Sequence, residues 1–308
     1  MTSRTEKNKE KQEEIIEEER RETRKKIVIL WLKITFALIF GFFSFYFYTE
    51  YISTKQIITK EQRIKNKKIP DSFNGIKIIQ FSDLYYGSTI GEKEIDNLIK
   101  EINMRKPDIV IFTGNIISTK EKLNTKEKEK LIKKLDSINA NIGKYAVTGK
   151  NDDKDTFTTI MNQSSFTILD NQYDLVYSSD NNPILLVGLS SLVKKERNIE
   201  NAYKYFKEET HNSDIYTISI MSETDDIDEI LAGYKTDLIL AGNSLNGEIR
   251  FPLIGGVIKQ EGSDIYKNPY YRVNDTDIYV SSGIGTITSG VRLFNHPSIN
   301  LFRLTNKD

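Results

Sequence analysis

Hydrophobic and polar positions divide the chain into three regimes. Residues 4–26, "RTEKNKEKQEEIIEEERRETRKK", are almost entirely charged, with Ile15 and Ile16 their only apolar members. Glu17/Arg21 and Glu22/Lys26 stand four apart with acid before base, so this tail predicts a solvated helix with no heptad seam. Residues 27–48 are then nearly unbroken in apolar character. At about 1.5 Å per residue they reach roughly 33 Å, enough to cross a bilayer. Lys33 interrupts the run, and its leaning side chain can snorkel back towards Arg24, Lys25 and Lys26. Tyr46, Tyr48 and Tyr51 supply an aromatic belt at the far end. Bulky aromatics follow the run where a signal peptidase needs small residues, which argues against a cleaved leader.

The third regime is periodic. A polar, lysine-rich connector over 50–74 leads to "IKIIQFS" (76–82), a buried strand. "EKEIDNLIKEIN" (92–103) reads as a helix with Ile95, Leu98, Ile99 and Ile102 on one face. Further strands are expected at 108–114, 143–149, 183–189, 215–221, 237–242, 277–285 and 299–304, with a charged helix over 121–138. Alternating strands and helices predict an α/β domain, and the strand-rich C-terminal part a second sheet layer.

Composition narrows the chemistry. The 308 residues carry 44 Lys+Arg and 44 Asp+Glu, so no global basic field favours nucleic acid, and no nucleic-acid partner is expected. Cysteine is absent, which excludes disulfides, thiolate metal sites and a cysteine nucleophile. The only histidines are His211, in the polar "EETHNSD", and His296, in "LFNHPS". The first reads as a surface residue and the second as structural. Two histidines set a severe limit on transition-metal chemistry.

Several strands end in short polar or glycine-bearing loops, the places where α/β proteins assemble sites. The motifs in and around these strands are, in order, "PDSFNG" (70–75), "SDLYYG" (82–87), "PDIVIFTGN" (107–115), "GKND" (149–152), "MSETD" (221–225) and "GNSLNGE" (242–248), with a closing "YVSSGIGT…VRLFNHPSI". From about Ile69 to Leu304 this series resembles the calcineurin-like metallophosphoesterases, especially their membrane-anchored bacterial branch. That family reads P-x-x-F-x-G, S-D-L-H-x-G, P-D-(apolar)-T-G-D, G-N-H-D, L-S-H-x-P-D and G-H-T-H-G-G-Q. The resemblance implies an α/β calcineurin-like phosphoesterase fold: two stacked mixed β-sheets flanked by helices in an α/β/β/α sandwich, behind one N-terminal transmembrane helix. Its parts are a cytoplasmic tail 1–26, a transmembrane helix 27–49, a linker 50–74 and a domain 75–308. The basic "RRETRKK" beside the span places the N-terminus in the cytoplasm and the globular domain outside the cell, in a single-pass cell-membrane protein.

Carried over residue by residue, the family's metal site is degenerate. A two-metal site needs carboxylates, imidazoles and an amide oxygen, with a carboxylate shared between the ions. Asp83 is the one ligand-type residue kept. Tyr85 stands at the histidine of D-x-H, and Asn115 at the bridging aspartate. Lys150 replaces the asparagine and Asn151 the histidine of G-N-H. Ser222 stands at the histidine of S-H-x-P, and Asn243 and Leu245 at those of G-H-x-H. No metal, no cofactor and no assured catalytic residue are therefore expected. An ammonium at Lys150 would repel dications by on the order of 4 kcal/mol at about 4 Å and an effective dielectric of 20. Lys150 pairs with Asp83 on one reading and points to solvent on the other.

Three functions follow from this pattern. The first is a membrane-tethered pseudo-phosphoesterase acting in binding or regulation, taking either a phosphate-bearing ligand on Lys150 and the amides of Gly149 and Gly114 or a protein partner. The second is a residual phosphoesterase for lipid-linked or other phosphate esters. It would work through Asp83, Ser222 and Lys150, or with a divalent pair of manganese, iron or zinc. The third is a structural anchor in which the tail and the span 27–49, lodged in the lipid bilayer, are the working parts.

Overall fold

A computed structural model describes residues 4–49, 53–117, 122–208, 214–287 and 290–307. The chain divides into two units, residues 1–49 and residues 50–308. The first is one continuous helix, α1 (Arg4–Phe47), which joins the charged tail and the apolar run without a break. Phe36, Leu38, Phe40, Phe42 and Phe43 of this helix are all exposed, and by length and composition it can cross a membrane.

In the second unit the elements follow as β1 (Ile58–Lys65), β2 (Lys77–Phe81), α2 (Glu92–Met104), β3 (Ile109–Phe112), α3 (Thr125–Asp136), β4 (Gly143–Ala146), α4 (Lys154–Gln163) and β5 (Thr167–Ile168). Then come β6 (Gln172–Val176), β7 (Ile184–Gly188), the single turns α5 (Ile199–Ala202) and α6 (Tyr205–Glu208), β8 (Thr217–Met221), α7 (Ile227–Gly233) and β9 (Leu238–Ala241). A small hairpin of β10 (Arg250–Phe251) and β11 (Gly255–Gly256) precedes β12 (Tyr270–Val273), β13 (Thr276–Val280) and β14 (Ser298–Thr305). One six-stranded sheet runs β1-β14-β2-β3-β4-β5 and the other β12-β13-β9-β8-β7-β6. Both are mixed: β2, β3 and β4 are parallel to one another and β14 antiparallel to β2 in the first, and β6 is antiparallel to β7 but β8 parallel to it in the second.

Strand alternation builds the layers. On β3, Ile109 and Ile111 enter the core between the sheets, while Val110 and Phe112 face the helices. On β9, Leu238 and Leu240 meet that same inner core, while Ile239 and Ala241 meet the apolar faces of α5 to α7. Each strand is apolar on both faces because both faces are covered, which is why these runs read as continuous rather than alternating. Local capping fixes the helix starts. Asn124 and Glu127 exchange side-chain and backbone bonds at the head of α3, and Asp153 accepts the Thr156 amide at the head of α4.

The linker expected over 50–74 is not a bare connector. Residues 58–65 form β1, which pairs in parallel with β14 from Ile58↔Ser298 to Lys65↔Thr305. Only Ile64 of this edge strand is buried, so its polar sequence carries little apolar periodicity. Its pairing comes from backbone bonds to a strand some 240 residues later. Strands β5, β6 and β12 went unforeseen for the same reason: they are short or half-exposed edges.

Candidate functional site, a metal-site scaffold filled by hydrogen bonds

Strands β2, β3, β4, β8 and β9 all release their loops at one end of the sandwich, and backbone bonds tie those loops together. Asp83 N donates to Gly114 O at 2.8 Å, Gly242 N to Ser222 O at 3.1 Å, and Ile284 N to Ser82 O at 3.0 Å. Asp83, Tyr85, Asn115, Asn243 and Leu245 all have φ between +46° and +59°. Asp and Asn visit this left-handed region readily, but for tyrosine or leucine it costs about 1–2 kcal/mol. Gly149 allows the closest approach: a Cβ there would lie 2.7 Å from Asn115 Oδ1 and 2.8 Å from Ser222 Oγ. The structure thus gathers the predicted site residues into one place.

Asp83 is the hub. Its fully buried carboxylate accepts Ser82 Oγ at 2.5 Å, Asn115 Nδ2 at 2.8 Å and the Asn243 amide at 3.1 Å, with Tyr85 Oη at 3.5 Å. Burial pushes the Asp83 carboxyl up to about 6, against the opposing pull of those donors and of the Arg292 charge. The orientation of Asn115 is fixed by a second contact. Asn151 N, which can only donate, lies 3.0 Å from Asn115 Oδ1, so the NH₂ end must face Asp83. The residue at the bridging position therefore presents a donor to the one retained carboxylate.

The positive charge comes from a residue that the motif comparison passed over. Arg292, fully buried, donates to Gly285 O at 2.5 Å and Asn295 O at 3.2 Å. Its guanidinium feels Glu248 and Asp83, which favour its charge, while burial pushes it down to about 10. A single arginine among the apolar Val291, Leu293 and Phe294 is the available signal, since a buried arginine needs paired charge.

Lys150 does not pair with Asp83. Its ammonium reaches Gln260 Oε1 at 3.4 Å and Glu261 O at 3.3 Å, and its backbone amide donates to Glu223 Oε1 at 2.7 Å. Of the two readings, neither pairing with Asp83 nor a free ammonium in solvent describes Lys150, since the carboxylate is met by Ser82 Oγ, Asn115 Nδ2 and the Asn243 amide and the ammonium by Gln260 and Glu261. Burial lowers the Lys150 ammonium from its ordinary value, with Glu223 and Glu261 opposing. Ser222 Oγ is buried with no hydrogen-bond partner, and Lys150 is held on other groups, so the two form no nucleophile–base pair.

The amide of Gly149 is likewise taken: it donates to Asp152 Oδ2 at 2.8 Å. Asp152, overlooked as a site residue, also gathers the amides of Asn115 at 2.9 Å and Ile116 at 2.6 Å. Burial raises its carboxyl to about 7 against those bonds. It staples the loop after β3 to the loop after β4.

The remaining positions are equally committed. Asn151 Nδ2 donates to Tyr85 Oη at 3.1 Å, and Asn243 Nδ2 to Glu261 O and Ser263 Oγ, both at 2.9 Å. Leu245 is fully buried against Gly283, where a Cβ would come within 2.3 Å of its side chain. His296 accepts Ser282 Oγ on its backbone carbonyl, and its Nδ1 is buried with no hydrogen-bond partner. His211 lies outside the described residues.

A divalent pair does not fit this donor set. Such ions require several anionic or imidazole donors. Among the described residues no group of three or more histidine, aspartate or glutamate side chains converges on a metal position. Two buried oxygens without partners in these loops, Ser222 Oγ and Asn243 Oδ1, are neutral, the Asp152 carboxylate is spent on three backbone amides, and the buried guanidinium of Arg292 adds positive charge. No chemical step is assigned to a metal here.

No family model matches the chain. An uncharacterised metallophosphoesterase of Bacillus subtilis, YkuE, is 27% identical over 245 residues, covering 78% of this chain and 83% of that protein. The chain is thus similar to metallophosphoesterases over most of its length. A second uncharacterised metallophosphoesterase, Cj0846 of Campylobacter jejuni, is 26% identical over 256 residues, 78% of this chain and 62% of its own length. Among solved structures, a 5'-nucleotidase precursor from Thermus thermophilus superposes with a TM-score of 0.46 and 8% identity, over 68% of this chain and 49% of that one. That likeness is too loose to bear on function. In this chain the strand-end loops carry amide, hydroxyl and ammonium groups at the positions where the sequence resemblance implies metal ligands.

Proposed function

We propose that this metallophosphoesterase relative is a membrane-anchored pseudo-phosphoesterase, acting by binding rather than hydrolysis. The observation that carries the reading is the Asn115 Nδ2 to Asp83 Oδ1 bond: a donor sits where two cations would share an anion. Helix α1 anchors the protein in the bilayer, with the tail in the cytoplasm and the domain outside the cell.

A phosphate-bearing ligand is the occupant best supported by charge. Beside the filled site lies a cleft of about 570 Å³, lined by Ile116, Leu123 and Phe157 and by Lys122, Lys128, Lys150 and Lys194. Asp152 and Asp153 also line the cleft and Lys194 Nζ is held on the Asp152 carbonyl, but the four lysines outnumber the two carboxylates over an apolar floor, which favours an anion with an apolar portion. A protein partner presenting such a group would use the same cations.

The test is elemental analysis of the purified full chain after exposure to Mn²⁺, Fe²⁺ and Zn²⁺, with phosphodiester hydrolysis assayed on the same sample. The expected result is substoichiometric metal and no turnover. A bound metal pair with turnover that Asp83→Ala abolishes would establish the residual phosphoesterase instead.

A further inference from the structure

The loop that carries Asn243 and Leu245 runs directly into the β10–β11 hairpin, and this hairpin is built against the usual preferences of a turn. Its tip is Pro252-Leu253-Ile254. Leu253 is fully exposed and Ile254 is 76% exposed, with Phe251 and Val257 also open to solvent at its base. Beside them Arg250 N bonds Leu293 O, which brings in Phe294, itself 64% exposed. Leu253 has φ +70° and Phe294 φ +52°. Glycine or asparagine would serve both positions at lower conformational cost and with better hydration. Two large apolar side chains are therefore kept where both backbone and solvent disfavour them, which marks a contact surface rather than chance exposure.

The chain itself suggests what covers it. The folded unit begins at Glu50, directly after an apolar helix long enough to span a bilayer. A domain held this way meets the membrane surface at high effective concentration, so a small apolar prong suffices for docking. At the base of the prong Arg250, on β10, adds a half-buried cation held on Asn246 O at 3.0 Å and Asn268 Oδ1 at 3.3 Å.

We infer that the Phe251–Val257 hairpin, with Phe294, dips into the interfacial region of the membrane in which α1 is anchored, and so docks the degenerate site against the lipid surface. This rests on the reading of α1 as a membrane span.

The absence of cysteine makes the test direct. Full-length Leu253→Cys and Ile254→Cys, labelled with an environment-sensitive fluorophore, are reconstituted into phosphatidylcholine/phosphatidylglycerol vesicles with or without acyl-chain spin-labelled lipid. Met104→Cys, at the exposed C-terminal end of α2 and the opposite edge of the parallel strands, is the control. Blue-shifted emission and at least twofold stronger quenching at 253 and 254 than at 104 are expected. Co-sedimentation with vesicles but equal quenching at all three sites overturns the hairpin inference and leaves the anchor standing. Failure to co-sediment overturns both. Energy transfer between labelled chains without lipid quenching overturns it in favour of a face that joins two copies.

Discussion

Asn115 donates its side-chain amide to Asp83 across 2.8 Å, joining the loops after β3 and β2 with a neutral donor where the family motif puts a second carboxylate. Asn115→Asp would set two carboxylates in contact inside a buried site. One must then keep a proton or both must be desolvated as anions. The variant is expected to lose about 1–3 kcal/mol of stability at pH 8 and less at pH 5, where a shared proton bridges the pair. Urea unfolding at both pH values measures this, and an equal loss at both would contradict it.

Asp83 should make its own mark on stability against pH. Its folded value near 6 lies above the ordinary 3.8, so between those limits the folded chain holds the proton more tightly than the unfolded chain. The group's contribution is thus most favourable below about pH 4, declines as pH rises towards 6 and is level above that. Relative to the wild type, Asp83→Asn should gain on the order of 3 kcal/mol between pH 4 and 7. Chemical denaturation of both proteins across that range gives the difference, and a flat difference would show that Asp83 titrates normally.

Arg292 should be coupled to Asp83. Arg292→Met leaves the Gly285 and Asn295 carbonyls without their donor and Asp83 without a buried counter-charge, an expected loss of about 3–5 kcal/mol at pH 8. Adding Asp83→Asn should restore about 1 kcal/mol or more in a double-mutant cycle. Strict additivity would mean that the guanidinium acts only through its carbonyl bonds.

Lys150→Met should matter little to folding. The ammonium gives up two long contacts, to Gln260 and Glu261, so the loss is expected at about 1 kcal/mol or below. The loss should also be the same at pH 5 and pH 8. A melting-temperature difference that opens between those pH values would instead indicate pairing with Asp83.

Gly149→Ala should be costly out of proportion to one methyl group. The added Cβ meets Asn115 Oδ1 and Ser222 Oγ at 2.7 and 2.8 Å, and the loops cannot part without breaking the Asp152 staple. A loss of about 1–3 kcal/mol in urea unfolding is expected, whereas a change within about 0.5 kcal/mol would show the loops to be loose.

The sequence by itself determined the layers of this protein. Apolar runs such as 109–112 and 238–241 call for cover on both faces, and the alternation of strands with helices calls for parallel strands whose loops gather at one edge. The order of motifs also picked out loop positions, among them Asp83, Asn115, Asn151 and Asn243, that the fold brings together. Partnership was decided by tertiary structure alone. Nothing local to Lys150 or Arg292 says which cation acts on the Asp83 carboxyl, because that depends on Ile284 and Gly285 bonding back to Ser82 and Asp83 in the loop after β2. The pairing of β1 with β14 and the exposure of Leu253 were equally out of reach: each is a relation between distant parts of the chain, fixed by which surfaces the finished core leaves uncovered.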